Sequence, residues 1–186
     1  MKNQISPHFF FNALNNIYGL IAVDSDKAQQ SVEKLSGLMR YLIYDSNIDT
    51  IELKKEFNFN LKYVMLMQQR LSSKVKLYVD IDNNIPDEKI PPLMFIPFIE
   101  NAFKHGISYR GDSFISILLK TEGNHLVFTC ENSIPQNANK PIKEKGGLGI
   151  VNIKRRLNLL YGDKALLTQS EKEGVYTIKL QVPLND

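Results

Sequence analysis

The sequence predicts an α+β chain in which an all-helical stretch is followed by a layer of strands and helices. Three observations carry this. Up to the early seventies, apolar side chains recur at three- and four-residue spacing, the period of an amphipathic helix. From Lys74 the period falls to two, over Lys76–Ile81, Phe114–Leu119 and His125–Cys130. Between and after those strands stand two stretches of helical period, one ending at Gly106 and one opening at Gly147. The change of period gives a helical region 1–73 and a mixed region 74–186.

In the helical region, Ser6-Pro7 reads as an N-cap with proline at the first helical position, or as a kink in a longer helix. Phe10, Leu14, Ile17 and Ile21 then form an apolar seam. His8 lies about 200° round the helix from Phe10, with Asn12 one turn further on the same side. Asp24-Ser25-Asp26 can cap a second helix, whose seam is Ala28, Val32, Leu35, Met39 and Leu42. The two helices predict an antiparallel hairpin. Each seam is long enough to meet a second hairpin, so a four-helix bundle made by a homodimer is expected. Asp49-Thr50-Ile51-Glu52 has the form of a capping box for a third helix, with Phe57, Leu61, Val64 and Leu71 buried.

In the mixed region, Asp82 to Pro86 and Glu122-Gly123-Asn124 are turn chemistry. Leu126, Phe128 and Cys130 share one face of their strand. Residues 131–147 are poor in apolar side chains and read as a long loop, of the kind that serves as a lid or binding segment. The last helix turns Ile150, Ile153, Leu157 and Leu160 to the core and stops at Gly162, and a hairpin around Glu173-Gly174 ends the chain.

Composition excludes several classes. The chain has 186 residues, 43% hydrophobic and 23% charged, which suits one or two globular domains. No apolar run approaches the roughly 20 residues a membrane helix requires. The single cysteine, Cys130, rules out an internal disulfide framework. A net charge of +3 does not argue for nucleic acid but does not oppose an anionic ligand. Met1-Lys2-Asn3-Gln4 runs straight into what reads as the inside of a helix, so a fragment lacking an N-terminal part is expected.

The chemistry gathers on Pro97 to Gly106. Leu93, Ile96, Ile99 and Phe103 form its apolar face, and Asn101, Lys104 and His105 lie on a different one. An amide oxygen for a metal, a cation for a phosphate and a further donor together suit a magnesium–triphosphate. The same stripe also suits a solvated surface helix. Gly106 reads as the helix stop.

Three segments carry a resemblance. Gln4-Ile5-Ser6-Pro7-His8-Phe9-Phe10-Phe11-Asn12 resembles the phosphoacceptor box of the LytS/YehU-like sensor histidine kinases, members of the GHKL ATP-binding superfamily. Pro97 to Gly106 resembles their asparagine box, and Gly147 to Leu157 their second glycine box. The resemblance covers nearly the whole chain. It implies a helical dimerisation and phosphoacceptor hairpin followed by an α/β-sandwich ATP-binding domain of the Bergerat type. It also implies His8 as the group that takes the γ-phosphoryl of ATP, with Asn12 orienting its ring or merely a polar surface residue. Asn101 would supply oxygen to Mg²⁺, Glu100 would hold a metal-bound water or form a surface salt bridge, and Lys104 would pair with a phosphate. His105 would donate to a phosphate or serve only the helix dipole. Gly147 and Gly149 would let backbone N–H groups approach phosphate, or be turn glycines. The proton acceptor beside His8 is unassigned, because Phe9 stands where many histidine kinases carry an acid.

The chain departs from the family at the first glycine box. Cys130-Glu131-Asn132-Ser133-Ile134 stands where the family has an aspartate and glycines, with Asn132 at the aspartate position and Glu131 the second choice. That departure motivates an alternative, a catalytically weak pseudokinase acting through nucleotide binding and dimer contacts. A hydrolase is a further rival. Pro97 stands where related hydrolases place a basic glutamate, and it cannot act as one. The resemblance further implies transfer to an aspartate in a response regulator receiver domain. It also implies a membrane-bound sensor part absent from this sequence, so the chain would be a cytoplasmic fragment of an inner- or plasma-membrane protein.

Overall fold

The computed structural model describes residues 7–82, 85–108, 111–135 and 148–184. They form two compact units, residues 1–71 with 89–93 and residues 72–88 with 94–186. The expected cap at Ser6, part of the turn at Asn83-Asn84 and residues 136–147 of the expected loop lie outside the described residues. Among those described, no helix is long and apolar enough to cross a membrane.

The first unit holds α1 (Pro7–Ile21), α2 (Ser25–Ile43) and α3 (Leu53–Gln68). Asp24 caps α2, its carboxylate accepting from the Lys27 N–H at 3.0 Å. The hairpin forms, but its inward faces differ from the expected seams. On α1 the buried side chains are Phe9, Ala13 and Ile17, while Leu14 is 53% and Ile21 59% exposed. On α2 they are Ala28, Ser31, Leu35, Leu38 and Tyr41, while Val32 and Met39 stand about half exposed. The reason is the third helix. α2 packs against both α1 and α3, and the stacked rings Phe9–Tyr63 (4.6 Å) and Tyr41–Phe59 (4.1 Å) rotate the buried stripe away from the seam.

The expected capping box is not one. Ile51-Glu52 is a short strand, β1, paired antiparallel with β3 (Lys89–Ile90), and α3 starts at Leu53 with no side-chain cap. Of its expected buried residues, Phe57 and Val64 are buried, whereas Leu61 and Leu71 are half-buried. Glu56, in the first turn of α3, is fully buried. Its carboxylate accepts from the Tyr41 hydroxyl and from the Leu93 N–H at 3.0 Å. Burial, with the Glu56 charge second, drives the Tyr41 hydroxyl pKa far above its ordinary range. Leu93 has φ 59°, a left-handed conformation unusual for leucine, and lies before the helix whose face it was expected to join.

The second unit is a five-stranded sheet in the order β2 (Val75–Ile81), β4 (Ser113–Glu122), β5 (His125–Ser133), β7 (Val175–Pro183), β6 (Leu166–Lys172). β2 and β4 run parallel, and the other neighbours are antiparallel. Strand alternation puts Ile115, Ile117 and Leu119, then Phe128 and Cys130, then Ile178 and Leu180 on one buried face. α4 (Ile96–His105) covers that face with Phe98, Ile99, Ala102 and Phe103, and Phe95 and Phe98 lie 4.7 and 6.0 Å from the Phe128 ring. Next to α4 packs α5 (Leu148–Tyr161), burying Ile150, Ile153 and Leu157; Leu160, expected inside, is 54% exposed. Gly162 ends α5 at φ +55°, and Glu173-Gly174, at +53° and +76°, make the two-residue hairpin turn between β6 and β7.

Candidate active site

The candidate residues occupy both units. In the first, His8 is exposed on the opening turns of α1, because Phe9 takes the inward position beside it. Asn12 follows one helical turn later. Its side-chain amide lies 2.9 Å from His8 Nδ1 and 3.2 Å from Nε2. The amide is the donor, so the ring nitrogen that accepts from it carries no hydrogen. The contact therefore holds the ring orientation against Asn12, and either ring nitrogen is within reach of the amide. Four residues further on, the Asn16 amide donates to Gln69 Oε1 at 3.0 Å, and Gln69 bonds the fully buried Ser31.

In the second unit, Pro97 occupies the first turn of α4, where a missing N–H costs nothing. The helix buries one stripe in the sheet and leaves Glu100 and Asn101 half-buried and Lys104 and His105 exposed. Burial, then the neighbouring Lys104 ammonium, lowers the His105 pKa below its ordinary value. At neutral pH the ring is uncharged and can donate through one nitrogen. The carboxamide of Asn101 and the carboxylate of Glu100 are oxygen donors of the kind Mg²⁺ takes singly, with phosphate and water oxygens completing its shell. The donor set therefore fits that ion.

Asn132 lies near the end of β5, opposite Ile115 of β4 and Tyr176 of β7, and is 3% exposed. Its Nδ2 donates to the Ser133 carbonyl at 2.8 Å. Glu131, the second choice for this role, instead accepts from the Thr177 hydroxyl at 3.0 Å. Gly149 is in the first turn of α5, and Gly147 lies outside the described residues.

Two features escaped the sequence reading. Gly106 stops α4 as expected, but with φ −89° and ψ −7°, a right-handed conformation that does not itself call for glycine. What requires glycine is space. A Cβ there would stand 2.4 Å from Asn132 Cβ and 2.7 Å from the Ala102 carbonyl oxygen. No local pattern announces that contact. The Glu56 cluster did leave a signal, since Glu56 and Asn60 stand at helical spacing among Leu53, Phe57 and Val64. Cys130, by contrast, is inert. Burial, then Glu131, pushes its thiol up to about 12, and among the described residues its hydrogen bond is to the Phe98 carbonyl, at 3.8 Å.

Residues 1–75 match the family model described as histidine kinase. The sensor protein LytS of Staphylococcus haemolyticus is 29% identical over 98% of this chain, which spans 33% of that protein. The sensor histidine kinase BtsS of Escherichia coli K12 is 30% identical over 98% of the chain, which spans 32% of it. Among solved structures, the Acinetobacter baumannii histidine kinase AdeS shares the fold with a TM-score of 0.54 at 14% identity, over 96% of both chains. The histidine kinase domain of Erythrobacter litoralis EL346 does so at 0.52 and 16%, also over 96% of both. Residues 1–75 thus match the histidine kinase family model, and the chain as a whole is similar to the sensor protein LytS and the sensor histidine kinase BtsS, of which it spans about a third.

Proposed function

We propose that this chain is the catalytic part of a two-component sensor kinase that transfers the γ-phosphoryl group of Mg²⁺-ATP to His8 and then to an aspartate of a response regulator. Residues 1–73 would dimerise and carry the phosphoacceptor, and residues 74–186 would bind ATP. The observation that carries the reading is the exposed His8 ring held by the Asn12 amide, in a chain whose other unit presents Asn101, Lys104 and His105 along one helix. The hydrogen-free ring nitrogen, its lone pair released from the Asn12 amide as the nucleotide approaches, attacks the γ-phosphorus. The bond from phosphorus to the β–γ bridging oxygen breaks, and ADP leaves with that oxygen's charge. Any proton on the other ring nitrogen is lost to solvent or to the base that the sequence leaves unassigned. Asn101, with Glu100 beside it, would hold the magnesium ion, which neutralises charge on the phosphates. Lys104, His105 and the backbone N–H groups from Gly147 to Gly149 would hold the phosphate oxygens, and Asn132 would accept from the adenine amino group. The apolar side chains left open on α1 and α2 favour a homodimer. A membrane-bound sensor part would precede the chain, placing it on the cytoplasmic side.

Incubation with γ-labelled ATP tests this. Label should appear on the protein, survive base and be lost in acid, as a P–N bond requires. His8→Gln should take up none while binding Mg²⁺-ATP normally. Label persisting in that variant removes His8 from the role. Tight Mg²⁺-ATP binding without label in the parent chain points instead to a pseudokinase, the reading that the amide at position 132 favours.

A further inference from the structure

Asn132 is an unusual choice for reading a purine. A carboxylate can only accept a hydrogen bond, whereas a carboxamide can accept through Oδ1 or donate through Nδ2. Left free, it would welcome a 6-amino or a 6-keto purine equally. The structure restricts that freedom in two ways. The Ser133 carbonyl requires a donor and takes Nδ2 at 2.8 Å. Among the described residues that is the side chain's one hydrogen bond, which leaves Oδ1 as the free acceptor. The second restriction is steric. Gly106 closes against Asn132 so tightly that a Cβ would lie 2.4 Å from Asn132 Cβ and 2.9 Å from Cγ. Neither neighbour can yield easily. Asn132 is fixed in the sheet between β4 and β7, and the Gly106 N–H is bonded to the Ala102 carbonyl at 2.8 Å.

We propose that Gly106 is a specificity-determining residue. By leaving room at the end of α4, it lets Asn132 seat against the Ser133 carbonyl with Oδ1 presented, so the site accepts a 6-amino purine and rejects a 6-keto one. This rests on the reading of the second unit as a nucleotide site. It goes beyond that reading in assigning base selection to a glycine that touches no ligand itself and to a backbone carbonyl that orients the amide. Replacing Gly106 forces Asn132 to move, its amide loses the Ser133 carbonyl, and either end can then face the base.

The test compares Mg²⁺-ATP with Mg²⁺-inosine triphosphate, which differs only by a keto for the amino group. Calorimetry on the full chain should show the parent preferring ATP by about tenfold or more. Gly106→Ala should bring the ratio close to one. Because that variant is crowded, Gly106→Ala with Asn132→Gly is the control: it moves the missing Cβ to the other partner, should melt near the parent temperature, and should also bind both nucleotides alike. Asn132→Ala should do the same without crowding. A folded Gly106→Ala variant that keeps the parent ratio overturns the proposal, as does a parent that binds both nucleotides equally. A parent that binds neither overturns the nucleotide reading, and this proposal with it.

Discussion

The two units of this chain differ in how completely they close on themselves. In the sheet unit, the inner face of β4, β5 and β7 is finished by its own helices: Ile115, Phe128 and Leu180 are all fully buried. In the helical unit, α3 closes only part of the hairpin. Leu14, Ile21, Val32, Met39 and Ile43 keep about half or more of their surface open. An apolar groove beside them is lined by Ile17, Ile21, Ala28 and Val32. The helical unit thus leaves an apolar face that a second copy, as proposed, would cover. A kinase of the proposed kind has use for both: a fixed nucleotide pocket, and a phosphoacceptor helix whose packing can change.

The sharpest way to break that comparison is to delete apolar side chains in both places. Leu180→Ala should cost about 2–5 kcal/mol, because a buried leucine leaves a cavity. Leu14→Ala should cost about 0.5 kcal/mol or less in the monomer yet shift the monomer–dimer equilibrium toward monomer. Thermal melts and light scattering read the two effects. A parent chain that stays monomeric at high concentration would sink the partner explanation.

Next in size is the nucleotide pocket. Asn101→Ala should weaken Mg²⁺-ATP binding about tenfold or more, a loss of about 1.4 kcal/mol, by calorimetry. His8→Gln, in the other unit, should not. If Asn101→Ala binds Mg²⁺-ATP as the parent does, Asn101 is not in the site.

The smallest expected effect concerns pH. The pKa of His105 is lowered in the folded chain, so the unfolded chain takes up that proton first. Folding stability should therefore fall as pH drops from the ordinary histidine value, about 6.5, toward the lower folded one. His105→Gln should melt with a flatter pH dependence than the parent between those values. Identical profiles would mean that the ring is solvated as in the unfolded chain.

Much of the fold was legible. Helical period marked α1 to α5, and alternation marked the strands of the five-stranded sheet but not the short pair β1 and β3; Gly162 and Glu173-Gly174 were legible as a stop and a turn from their chemistry alone. Of the candidate residues, Asn101, Lys104 and His105 were named by type and spacing and the others through the resemblance; Gly147 lies outside the described residues. The faces were harder to read. The expected seam on α1 was displaced toward Phe9 and Ala13, because helical period says that a stripe is apolar, not which neighbour will take it.

What the sequence determined by itself is therefore local: which segments coil or extend, and where polar groups such as His8 and Asn12 fall one turn apart. What only the tertiary structure decided joins residues remote in the chain. Ile51 pairs with Ile90, the Glu56 carboxylate takes the Leu93 N–H, and Gly106 is a glycine because of Asn132. The physical reason is range. Backbone propensity and side-chain period act over one or two turns, whereas a shared buried hydrogen bond or a missing Cβ acquires its meaning only from the group packed against it.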